Sequence, residues 1–179
     1  MAAITYTLMA FWDTLDWTNP TSGADDDITS DVKWWRVRRG KDKELGNVTA
    51  GTLEFALKNA DKKYTPCYAA GALYGRLRPW IPVTLTADHD GNSYTVYTGY
   101  ISRISVYPSL SKQEAVIRCT DGMDLLARNM VTLDKDDRTA QNEGTALDAL
   151  LTQAGWPAAL RDLDVDSGDS IDYPAVYEN

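Results

Sequence analysis

Apolar and polar side chains alternate with a period of two through most of residues 4–120, and this period predicts strands rather than helices. Ile4, Tyr6 and Leu8 alternate with Thr5 and Thr7. Leu53, Phe55 and Leu57 point one way while Thr52, Glu54 and Lys58 point the other. Ile81, Val83, Leu85 and Ala87 line a further strand, with Pro82 near its start, where the ladder tolerates a missing N–H. Asp90 and Gly91, or Gly91 and Asn92, supply the positive φ values of a tight hairpin turn. Beyond the turn, Tyr94, Val96, Tyr100, Ile104 and Val106 share one parity of a long strand, and Gly99 is expected to mark a bend or bulge that lets it curl. Ala115, Ile117 and Cys119 face inward on the next strand.

The pattern then changes period. Thr120 or Asp121 is placed to cap a short helix whose apolar side carries Met123, Leu126, Ala127 and Met130; this helix is expected to plug or flank the sheet. Ala146, Leu147, Leu150, Leu151 and Ala154 recur at helical spacing, and Gly155 with Pro157 stops that second helix. In between, residues 59–80 carry Gly71, Gly75 and Pro79, which exclude a long helix there. A strand of about a dozen residues that bends belongs to a small barrel or a strongly coiled sheet. The expectation is therefore a mainly β fold, a β-barrel with one or two short helices. Residues 1–130 are expected to form the barrel domain, 131–144 a linker, and 145–179 a helix followed by an acidic strand or tail. The barrel core is expected to contain Leu53, Phe55, Leu57, Val83, Leu85, Val96, Tyr100, Ile104 and Ile117.

Residues 31–39 resist a simple in–out assignment. Trp35 and Val37 share one face; Val32, Trp34, Arg36 and Arg38 share the other. Two readings stay open: arginine stems packed over a tryptophan, or a protein-contact strand, since Trp and Arg anchor interfaces. On the second reading the contact residues are Trp34, Trp35, Arg36 and Arg38, joined by Tyr97 and Trp80. Six Trp and ten Tyr against two Phe support surfaces that are half core and half interface.

Charge narrows the partners. The formal net charge of −8 argues against a nucleic-acid-binding surface, and three consecutive aspartates, Asp25 to Asp27, cannot all be buried. No apolar run is long enough for a membrane helix, so no membrane insertion is expected. Candidate chemistry is sparse. His89 is the single histidine and sits at the hairpin tip; Cys67 and Cys119 have no metal-ligand spacing and are expected as two buried thiols. The aspartates between Asp162 and Asp172 resemble a calcium loop only loosely, because Gly168 falls one place late and Tyr173 stands where a bidentate glutamate belongs. No phosphate-binding glycine loop or nucleophile elbow is present. No catalytic residue, metal or cofactor is expected.

Four stretches, taken in order, are similar to a known family. They are V-T-A-G-T-L-E-F-A-L-K-N-A-D-K-K-Y-T-P (48–66), L-Y-G-R-L-R-P-W-I-P-V-T-L (73–85), Y-T-V-Y-T-G-Y-I-S-R-I (94–104) and A-V-I-R-C-T-D-G-M-D-L-L-A-R (115–128), continued by A-L-D-A-L-L-T-Q-A-G-W-P (146–157). Together they resemble the N-terminal part of minor tail proteins of long-tailed, non-contractile bacteriophages, the tail-hub or baseplate-hub group. The resemblance implies a tail-tube-like barrel and a ring, a trimer or a hexamer, docked on the tail tube or distal tail protein beside other tail-tip proteins. DNA passes such a ring as non-specific cargo. The implied place is the virion tail tip, after synthesis in the host cytoplasm. Hub proteins of this group are longer, so a shortened hub, a split hub and an adaptor all stay open, and residues 145–179 are expected to begin a second hub domain. Trp156 and Ile171 are expected to need cover from a partner or further chain. A receptor- or carbohydrate-binding module at the tail tip is the alternative, marked by a concave patch of Tyr64, Tyr68, Tyr74 and Trp80.

Overall fold

A computed structural model describes residues 3–14, 20, 22–40, 49–109, 112–128, 141–156, 158, 161, 163 and 170–171. It is mainly β: a six-stranded, curled antiparallel sheet that makes a half-barrel, with two helices. The chain divides into two compact units, 1–124 and 125–179. The boundary falls inside the first helix, where the sequence pattern put it at residue 130. Much of the expected linker and nearly all of the acidic run at 162–169 lie outside the described residues.

The first unit contains β1 (Thr5–Ala10), a 3-10 turn (Thr29–Asp31), β2 (Val32–Arg38), β3 (Thr52–Lys58), β4 (Pro82–His89), β5 (Asn92–Ser109) and β6 (Lys112–Thr120), and the start of α1 (Gly122–Arg128). The strand order is β1-β4-β5-β6-β3-β2, antiparallel throughout. Its inner face holds one apolar cluster in which Leu53, Phe55, Leu57, Val83, Leu85 and Ile117 are fully buried, with Val96 and Ile104 packed at its margin. Leu8, Trp12, Ile28, Tyr64, Leu73 and Ile81 complete it from outside the central strands.

Residues 59–80 reach that cluster without a helix. Thr65, Tyr68, Gly71 and Tyr74 each donate a backbone N–H to the carbonyl three residues earlier, giving a run of successive turns. The run buries Tyr64 and Leu73, and the Tyr64 hydroxyl donates to Asp31 at 2.5 Å. The aspartate triplet resolves by division of labour. Asp27 is exposed and Asp25 half-buried, while Asp26 is buried and accepts the N–H groups of Trp12 and Gly23. A buried carboxylate is tolerable because backbone donors stand in for water.

Expectations about β5 and β2 are corrected by β-bulges. The register of β4 with β5 shifts between Leu85 and Thr86, and that of β5 with β6 between Ile101 and Arg103, so Val96 and Ser102 are the extra residues. A one-residue insertion flips every later side chain to the other face. Tyr97 and Ile101 therefore point into the core, and Tyr97 is 1% exposed rather than available to a partner. Tyr100, expected in the core, is buried instead on the outer face, where it stacks on Trp80 at 4.5 Å and donates to Asp124 at 3.0 Å. Gly99 is in register opposite Val83, so it is not the bulge. A third shift, at Lys33, moves Val32 to the inner face, away from Trp34 and Arg36.

The hairpin turn has φ 50° at Asp90 and 78° at Gly91, the two positive values that a twisted hairpin needs. Asp121 starts α1: its carboxylate accepts the N–H of Met123 and that of Gly51. Met123 is 39% exposed, so it is not the buried contact its spacing predicts. Cys119 is buried, and burial pushes its thiol well above the usual range; Cys67 is exposed, which corrects the expectation of two buried thiols.

The second unit contains the rest of α1, the short pair β7 (Gln141–Asn142) and β8 (Ser170–Ile171), and α2 (Glu143–Gln153). Gly155 at φ 74° ends α2: Trp156 N–H donates to Leu151 and Gly155 N–H to Thr152, the paired bonds of a glycine-terminated helix. Arg161 folds back on that helix and donates to the Asp148 carboxylate at 2.7 Å and to the Thr152 hydroxyl at 2.7 Å.

Candidate partner interface

The two edges of the sheet are treated differently. Along β1, Ala10 N–H donates to Asp26, Ile28 N–H donates to Leu8, and Leu8 N–H donates to the Thr29 hydroxyl. The segment leading into β2 thus covers the C-terminal half of the β1 edge. The outer edge of β2 has no strand on it among the described residues. An uncovered edge offers N–H and C=O groups to another chain. Trp35 sits at this opening, 36% exposed, with its ring 5.0 Å from that of Tyr6; a cleft of about 400 Å³ runs beside them.

The outer face is built in rows by the strand register. Arg36 stands opposite Glu54, Glu54 opposite Arg118, and Arg118 opposite Arg103. The neighbouring row runs Trp34, Ala56, Val116, Ser105; another runs Arg38, Thr52, Thr120, Tyr100. Lys58 faces Glu114, which faces Tyr107. Arg118 Nε donates to Glu54 Oε1 at 2.8 Å, and Lys33 Nζ donates to Glu114 Oε2 at 2.8 Å. The bulge at Lys33 is what turns its ammonium toward Glu114. The Lys33 hydrogen bond, helped by Lys112, holds the Glu114 carboxyl below its ordinary range despite burial. Trp34 is 42% exposed above the buried Ala56.

Four of the six expected contact residues come together on this face: Trp34, Arg36, Arg38 and, through its stack on Tyr100, Trp80. Trp35 lies on the other side of β2, at the barrel opening, and Tyr97 is in the core. Sequence reasoning missed Lys33, Arg103 and Arg118. Counting outward from the pair Ser109–Lys112 along the hairpin places Arg103 opposite Arg118, so their encounter could have been found. The acidic average had argued against a basic cluster; the face shows that the excess acid lies elsewhere.

The aromatic patch of the alternative reading is not assembled. Tyr64 is buried against Trp12, Trp80 is stacked on Tyr100, and Tyr68 lines a separate cleft of about 470 Å³ with Val106 and Pro108. Among the described residues no group of His, Cys, Asp and Glu is placed to hold a metal ion, and no helix is long and apolar enough to cross a membrane. The chain matches no family model and no curated protein.

Proposed function

We propose that this chain is a structural component of a bacteriophage tail tip, a hub or adaptor whose copies form a ring that closes or extends the tail tube and lets DNA pass on ejection. In this reading its partners are two or five further copies, the tail tube or distal tail protein, and other tail-tip proteins. DNA is cargo of the channel, and the protein belongs to the virion. The supporting observation is a curled half-barrel whose β2 edge has no strand on it among the described residues and carries Trp34 and Trp35, each more than a third exposed. Large aromatics beside arginines on an open edge strand are costly in water and rewarded when a neighbour covers them. The resemblance of residues 48–157 to tail-hub proteins supplies the kind of neighbour.

Electron microscopy of the purified protein, alone and mixed with purified tail tube protein, tests this. Closed rings of three or six copies, free or seated on tube ends, are expected. Monomers that neither ring nor cap the tube overturn the reading, and glycan binding by such monomers would favour a receptor-binding module instead.

A further inference from the structure

Residues Arg118 and Arg103 stand directly opposite each other on adjacent strands, with Arg36 in the same row and only Glu54 between them as counter-charge. Like charges in direct opposition weaken a sheet. Arg36 and Arg103 are exposed and have no hydrogen bond or ion pair among the described residues. At about 4.8 Å between strands the row spans roughly 14 Å.

The same unit carries the complement. Nearly every described carboxylate of residues 3–124 has a donor or a cation: Asp13 and Asp25 pair with Arg76, Asp31 with Tyr64 and Lys63, Asp121 with Gly51, Asp124 with Tyr100. The carboxylates of Asp88 and Asp90, at the β4–β5 hairpin, accept no hydrogen bond among the described residues; that of Asp90 has only His89, 3.9 Å away. Along β5 the tip is about 35 Å from Arg103, so the hairpin cannot fold onto its own chain's row.

We propose that the outer face around Arg36, Arg103 and Arg118 receives the hairpin tip bearing Asp88 and Asp90 of a second copy of this chain. The proposal rests on the ring reading above. A face on one part of the molecule and its complement on another make a head-to-tail contact, the kind that generates rings. A nucleic acid fits less well: the row is short, Glu54 and Glu114 are set into the face, and the chain's net charge is −8.

Charge reversal in pairs tests the contact. One chain carries R36E and R103E, another D88R and D90R, and self-association is measured by sedimentation at low and moderate salt. R103E replaces a like-charge pair with an opposite one, whereas R36E sets a glutamate opposite Glu54 on the exposed β2 strand, so the two changes offset each other and thermal melting checks that the variant folds. Each variant alone is expected to associate roughly tenfold or more weakly than the natural chain. Mixing the two is expected to restore association into assemblies in which the variants alternate, such as pairs or six-membered but not three-membered rings, because both the natural and the reversed contacts then pair opposite charges. If the natural chain forms rings and neither variant differs, this contact is wrong and the ring reading stands. A natural chain that stays monomeric, alone and with tube protein, overturns both. Assembly unchanged by reversal, with single-stranded DNA binding lost in R36E and R103E, overturns the contact in favour of a polyanion site.

Discussion

Tyr97 and Gly99 lie two residues apart on the inner face of β5, and the ring of one occupies the space a side chain on the other would need. A Cβ at Gly99 would stand 2.6 Å from the Tyr97 hydroxyl oxygen and closer still to the carbonyl of Thr120. Neither neighbour can retreat from the centre of a sheet. Gly99→Ala is therefore expected to cost about 2–3 kcal/mol, as overpacking does, read as a shift in the urea midpoint. The Tyr97 hydroxyl is buried with no hydrogen-bond partner among the described residues. Tyr97→Phe should then be neutral or stabilising, since it removes a desolvated polar group and keeps the ring. A loss above about 1 kcal/mol would show that the hydroxyl is satisfied. The cysteines divide as sharply. Cys67 is exposed and Cys119 buried on β6, so one thiol per chain should react with a thiol reagent in the native protein and the second only on unfolding.

Among the elements, β5 explains what periodicity could and could not reveal. Its existence, its turn and its partners were legible, because alternation and an Asp-Gly pair are local signals. The bulges at Val96 and Ser102 were not, because a bulge is selected by the two strands flanking it, and each one inverted the faces that follow. Tyr97 and Tyr100 exchanged roles for that reason alone. Period-two alternation identified Leu53, Phe55 and Leu57 without error because β3 runs in register against β6. The outer face of β6 also carries a pH dependence. Glu114 is 3% exposed and held by Lys33 and Lys112, with its folded carboxyl below the ordinary value of 4.5. A depressed carboxyl adds stability above that ordinary value and loses it as pH falls through 4.5 toward the lower folded one. Urea unfolding from neutral pH downward should show this loss. Glu114→Gln should be less stable at neutral pH and show a flatter fall in the acid range; an unchanged slope would remove Glu114 from the acid response.

At the scale of the molecule, charge is the property that composition hides best. A chain of net −8 presents Arg36, Arg38, Arg103 and Arg118 on one sheet face, because the register sorts charges by strand and row while an average does not. The candidate interface was legible in part: Trp34, Arg36 and Arg38 follow from the alternation of one strand, whereas Arg103 and Arg118 join them only once three strands are aligned. In the proposed ring, neighbouring copies or the tube cover the β2 edge. Hydrogen exchange of residues 32–38 tests it most directly, comparing dilute protein with protein concentrated and mixed with tail tube protein. In the isolated chain, amide groups on the outer edge of β2 should exchange rapidly, and they should become protected when copies or the tube dock. Exchange at 32–38 that is the same in both states, whatever the size of the particles formed, would contradict the claim.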